Sequence, residues 1–153
     1  MDDTSVRHQI YQLFDQQRFA VIATEMNKQP YAHLVGFVVT SNLKHIVFAT
    51  KRDTQKYRNI TRNTHVAAFV DNRQNNPLDF SDAITVTALG TAKEISDFDN
   101  KKEYESLFMK KHPELSLFLA DPACALIKIE VMVYQLVKKF EEVHLLTIST
   151  KDH

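Results

Sequence analysis

FAVIATEMNKQPYAHLVGFVVTSN, residues 19–42, holds two apolar runs on either side of the turn-like MNKQP. Both runs are rich in β-branched residues, and a polar break with Asn and Pro between two such runs is the signature of a β-hairpin. Moving outward, HIVFAT (45–50), HVAAFVD (65–71), ITVTALGTAKEI (84–95), ALIKIEVMVYQLV (125–137) and EEVHLLTI (141–148) are further strand-like segments. Gly90, inside one of them, marks a bulge or a close backbone approach. On the N-terminal side Val6, Ile10, Leu13 and Phe14 fall at helical spacing, with Thr4 as the expected N-cap and an end near Gln17. The polar, basic segment after residue 50 has room for one short helix. Phe98, Tyr104, Leu107, Phe108 and Lys111 fit another, followed by Pro113, and Leu115, Leu117, Phe118 and Leu119 fit a further short one. NRQNNPLDFSD (72–82) reads as a surface loop. Six or seven mostly sequential strands with three or four helices predict a mainly β (β+α) protein, an antiparallel barrel rather than an open parallel sheet.

The chain has 153 residues, which favours one domain over 1–153, and its 44% hydrophobic and 25% charged content argues against disorder. Nineteen Lys plus Arg balance nineteen Asp plus Glu, so the global field that non-specific nucleic-acid binders use is lacking and any anion site is local. No nucleic-acid partner is expected. The lone Cys124 reads as a small buried hydrophobe. The N-terminus is acidic where a signal peptide is basic, and no apolar run approaches the roughly 20 residues of a membrane span. The expectation is a cytoplasmic protein with no membrane partner. Gly36 and Gly90 are the only glycines, too few for GxGxxG or GxxxxGK[ST]. The histidines at 8, 33, 45, 65, 112, 144 and 153 show no metal-ligand spacing, so no metal is expected. Lys101, Lys102, Lys110 and Lys111 read as solvated charges.

FATKRDTQKYRNITRN, residues 48–63, carries the chemistry. Lys51, Arg52, Lys56, Arg58 and Arg62 crowd into the stretch against Asp53 alone, where a strand passes into a helix. The hydroxyls of Thr50 and Thr54, the planar fork of Arg52, the point charge of Lys56 and free amides at a helix start suit a phosphate. Asp53 could cap the helix. A solvated basic face is the plain alternative.

ATEMNKQPYAHLVGFVV, HIVFATKRDTQKYRNITRN, HVAAFVD and ITVTALGTAKEI, in this order and spacing, resemble the pyridoxamine 5'-phosphate oxidase-like FMN-binding proteins, whose fold is a split β-barrel. The match covers about residues 19–95, with an echo in HPEL and the closing strands. The resemblance implies that Thr50, Lys51, Arg52, Thr54 and Lys56 hold the phosphate of FMN. It implies that His33, Leu34, Val35 and Gly36 lie along the isoalloxazine ring, and that Thr85 contacts the cofactor. It implies a homodimer with the flavin between subunits, and an oxidoreductase passing hydride or electrons between a donor such as NAD(P)H and a small molecule. A non-catalytic flavin-binding or sensing module, or the same barrel binding haem or a deazaflavin, are the alternatives. Gln55 stands where the oxidases proper carry Arg, and no Arg follows Arg73, so oxidation of vitamin B6 phosphates is not expected.

Overall fold

In a computed structural model, which describes residues 1–148, seven antiparallel strands carry the chain. They are β1 (Phe19–Met26), β2 (Gln29–Val39), β3 (His45–Lys51), β4 (His65–Asp71), β5 (Ile84–Glu94), β6 (Cys124–Lys138) and β7 (Glu142–Thr147). The sheet order is β3-β2-β1-β4-β5-β6-β7, and a β3–β6 pairing closes the first six strands into a barrel. His153 and its four predecessors lie outside the described residues.

The hairpin of residues 19–42 forms β1 and β2, with Met26 opposite Gln29. Asn27 and Lys28 both take positive φ, 51° and 68°, as the two central residues of a tight hairpin turn must to match strand twist. Asn accepts that conformation readily, and the Lys28 amide is held by Glu25 Oε1 at 2.8 Å.

β6 makes the barrel split. Its first half, as far as Glu130, pairs with β3, and its second half, from Val133, pairs with β7, while β5 runs along its other edge from Ile127 to Lys138. The exchange of partners coincides with a bulge, where Leu89 faces Val133 and Gly90 faces Val131, leaving Met132 as the extra residue. A bulge bends the strand and so lets one long strand serve two sheet segments.

Five α-helices and a 3-10 turn (Pro113–Leu115) surround the barrel, more than the three or four expected. The addition is short: α3 (Asp79–Asp82) lies inside the expected loop, where the Asp79 carboxylate gathers the amides of Gln74, Asn75 and Asn76, while α5 (Ser116–Ala120), the expected further short helix, follows the 3-10 turn directly. The first helix, α1 (Asp3–Gln16), begins at Asp2, whose carboxylate accepts the Ser5 amide at 2.8 Å. Thr4 is therefore inside the helix rather than its cap.

Val6, Ile10, Leu13 and Phe14 of α1 are buried in the main core. Phe14 meets Phe37 and Tyr134 edge to face at 5.4 and 5.8 Å, and the buried Tyr134 hydroxyl donates to the Leu43 carbonyl at 2.6 Å. A second cluster of Val38, Val47, Ile95, Phe108 and Leu126 joins α4 (Lys101–Lys111) to the outer face of β2, β3 and β6. Phe98, expected on that helix, precedes it and is 98% exposed. Lys111 is also displaced from its expected role. It is half-buried, its ammonium donates to the Phe14 carbonyl at 2.8 Å and lies 4.0 Å from the Phe37 ring centre, and desolvation lowers its pKa to about 8. Cys124 is buried as expected, and burial pushes its thiol pKa up.

Candidate functional site

β3 ends at Lys51, and four residues later α2 (Gln55–Arg62) begins. Thr54 caps α2: its Oγ1 accepts from the Tyr57 amide at 3.3 Å, lies 2.9 Å from Thr50 Oγ1 and donates to the Lys51 carbonyl at 2.9 Å. Asp53, the expected cap, is exposed and contributes its carbonyl to Arg58 instead. Beside this turn is a cleft of about 280 Å³. Leu34, Val35 and Gly36 of β2 form one wall, and Phe108, Leu115 and Phe118 from the helical cover face them. Thr50, Thr54, Lys51 and Lys56 line the same cleft. Clefts beside Phe98 and between Tyr11 and Tyr104 are larger but hold none of the residues that the resemblance implies for FMN.

The five basic residues of the stretch have different fates. The Arg52 guanidinium forks onto the Glu94 carboxylate at 2.7 and 3.2 Å and donates to the Pro122 carbonyl at 2.8 Å. Tyr57 donates to the same Glu94 at 2.6 Å. The Arg52 hydrogen bond holds the Glu94 pKa below its ordinary value, while the bond to Glu94 raises that of Tyr57. Arg52 thus clips β5, α2 and the segment before β6 together and does not line the cleft. Lys51 pairs with Asp121 while lying over the Phe118 ring. Arg58 donates to Asp53 and Gln55. Arg62 sits at the far end of α2, about 10 Å along the helix axis from its first residue. Lys56 remains: half-buried, in no ion pair among the described residues, its pKa lowered by desolvation.

His33 does not line the cleft; its side chain is part of a hydrogen-bonded chain the sequence did not reveal. Gln55 Nε2 donates to Asn59 Oδ1 at 2.6 Å, Asn59 Nδ2 donates to Thr24 Oγ1 at 2.9 Å, and Thr24 Oγ1 lies 3.0 Å from His33 Nε2. Thr24 Oγ1 accepts from Asn59, and the tautomer of the imidazole sets whether it donates to His33 Nε2 or accepts from it. Burial first, and the nearby Lys56 charge second, lower the His33 pKa. Thr85 lies elsewhere, opposite Asp71 and Val137 and nine residues before Glu94 on β5. His112, the first residue of HPEL, is 1% exposed beneath Gly36 and its Nε2 lies 2.8 Å from the Phe37 carbonyl. Among the described residues no group of His, Cys, Asp and Glu is placed to hold a metal ion. No helix of the described residues is long and apolar enough to cross a membrane.

A closed ring of six antiparallel strands, opened out by a long shared strand and covered by helices, defines a split β-barrel protein. The family model described as pyridoxamine 5'-phosphate oxidase matches residues 6–138, and the chain belongs to that family. Among solved structures, the heme binding protein from Mycobacterium smegmatis superposes with a TM-score of 0.80 at 11% identity, over 92% of this chain and 57% of that longer one. General Stress Protein 26 from Bacillus anthracis str. Sterne matches at 0.69 and 21% identity, over 94% and 98% of the two chains. A FAD-binding protein from Mesorhizobium loti matches at 0.68 and 14%, over 84% and 91%. At these identities the likeness is one of fold. No curated protein matches the sequence.

Proposed function

We propose that the chain is a cytoplasmic FMN-binding flavoprotein and an oxidoreductase, taking electrons from a donor such as NAD(P)H for a small molecule other than a vitamin B6 phosphate. The observation that carries this reading is Lys56, a half-buried ammonium in no ion pair among the described residues, in a cleft with the Thr50 and Thr54 hydroxyls. Withdrawing a cation from water without an acid partner is unfavourable, so such a group suits an anionic ligand. FMN, when bound, supplies hydride or single-electron transfer. The chain's own residues bind and orient: Thr50, Thr54 and Lys56 suit the phosphate, the backbone of Leu34, Val35 and Gly36 suits the polar edge of a flat ring, and Phe108 and Phe118 exclude water. Thr85 joins the site only if a second subunit or the ligand's length brings it there.

The partner we propose is a second copy of the chain. Val21 faces both Leu34 and Phe69, and Leu89 faces both Ala67 and Val133, so these side chains share one outer face of the barrel. Leu34 is 69% exposed and Leu89 44%, an unusual apolar face for a surface left in water. Leu34 also lines the cleft, and about 280 Å³ is less than the roughly 300–1,000 Å³ typical of ligand pockets. A two-fold partner on that face completes the walls.

The Mycobacterium smegmatis relative is described as heme-binding, which makes haem in the same barrel the second reading. The absorption spectrum of the purified protein, alone and after adding FMN or haemin, tests both. Flavin bands with about one FMN per chain support the proposal, a Soret band with haemin and no flavin uptake overturns it, and bound FMN that NAD(P)H does not reduce leaves a sensing role.

A further inference from the structure

The charges around the cleft are arranged unequally. Arg52 is committed to Glu94 and Arg58 to Asp53 and Gln55 at the start of α2, so two ammonium groups stand at the cleft, Lys51 and Lys56. Among the described residues only one of them is paired. The Lys51 ammonium meets Asp121 Oδ2, whereas the other carboxylate oxygen, Oδ1, accepts the Ala123 amide at 2.8 Å and so shapes the turn between α5 and β6. The Lys51 and Asp121 side chains are 30% and 41% exposed, and an ion pair that open to water adds little to folding stability. Its larger effect is on the field in the cleft, because it cancels one of two positive charges there.

We propose that Asp121 determines how strongly this site prefers a phosphorylated ligand. The proposal rests on the flavin reading for its ligand, though not for its physics. Asp121 holds Lys51 to itself, so Lys56 faces an incoming phosphate alone, and the phosphate must compete with a carboxylate for the second ammonium. A phosphate monoester, with up to two negative charges near neutral pH, competes where a singly charged or neutral group does not. The pair therefore acts as a brake on phosphate affinity that Lys51 alone would not impose.

Asp121→Asn keeps an oxygen acceptor for the Ala123 amide and removes only the charge; Asp121→Ser does the same with a hydroxyl. Full-length wild type, both variants and the double variant Lys51→Met/Asp121→Asn are titrated with FMN and with riboflavin, by quenching of flavin fluorescence, and with inorganic phosphate, by amide shifts of Thr50 and Thr54. The ratio of riboflavin to FMN dissociation constants is expected to rise by about tenfold on removing the Asp121 charge, of the order one charge-assisted hydrogen bond provides. Adding Lys51→Met is expected to abolish that gain. A ratio changed by less than about twofold, or riboflavin tightened as much as FMN, overturns the proposal. If neither flavin binds any of the proteins, the flavin reading fails, and phosphate decides the role of Asp121: tighter phosphate binding in the Asp121 variants, lost again with Lys51→Met, upholds it, and unchanged binding overturns it.

Discussion

The Cα of Gly90 faces the Glu130 carbonyl oxygen so closely that a Cβ there would lie 2.3 Å from it. That oxygen belongs to the backbone of β6, close to where the strand changes partners, and cannot move without breaking the pairing. Gly90→Ala is therefore expected to destabilise the fold by about 2–3 kcal/mol, lowering Tm by roughly 5–10 °C. At Gly36 a Cβ would meet His112 Cε1 at 3.4 Å, an ordinary contact, so Gly36→Ala is expected to change Tm far less. Equal shifts in the two melting curves would contradict the account of the bulge.

Lys56→Ala is expected to weaken FMN binding by about 10- to 100-fold, the loss of one charge-assisted contact. Arg52→Ala is expected to weaken it less and to act chiefly on stability, because its guanidinium holds Glu94 and Pro122. Lys101→Ala, on the outer helix, is the control. Fluorescence titration and thermal melts on the three variants separate these effects.

The chain from Gln55 through Asn59 and Thr24 ends on His33 Nε2. Thr24→Val removes the hydroxyl partner of Nε2 and is expected to shift the Nε2 nitrogen resonance of the neutral ring more than that of Nδ1. Lys56→Ala is expected to raise the His33 pKa, since the Lys56 charge is one cause of its lowering.

Lys111 titrates near 8 in the folded protein against an ordinary 10.5. Below pH 8 both states hold the proton and this group adds no pH dependence. Between about 8 and 10.5 the unfolded chain binds more protons than the folded one, so stability rises with pH across that window. The urea midpoint of wild type relative to Lys111→Met is expected to climb from pH 8 to pH 10; a flat difference would show Lys111 to be ordinarily solvated.

Leu89→Glu puts a charge in the middle of the exposed apolar face without touching the core. Sedimentation is expected to show a dimer for wild type and a monomer for the variant at micromolar concentration. A monomeric wild type would remove the second copy from the proposed site.

The strands, the β1–β2 hairpin and the amphipathic first helix were legible in the sequence because each is written in local terms: period-two alternation, turn-forming Asn and Pro, apolar residues at helical spacing. The resemblance also pointed to the Thr50–Lys56 turn, of which Thr50, Lys51, Thr54 and Lys56 meet in one cleft while Arg52 does not. Closure of the barrel was different in kind. It joins His45 to Glu130 across most of the chain, and no local period encodes such a pairing. The capping residues of α1 and α2 fell one or two positions from those expected, because Asp2, Thr4, Asp53 and Thr54 are all competent caps and packing of the helix decides among them. The charges needed the tertiary structure most. A guanidinium or ammonium goes to whichever anion or carbonyl the fold brings within reach: Glu94 for Arg52, Asp121 for Lys51, the Phe14 carbonyl for Lys111. Among the described residues only Lys56 is left at the cleft without an anion, and that follows from where distant acids lie, which the order of residues in one stretch does not contain.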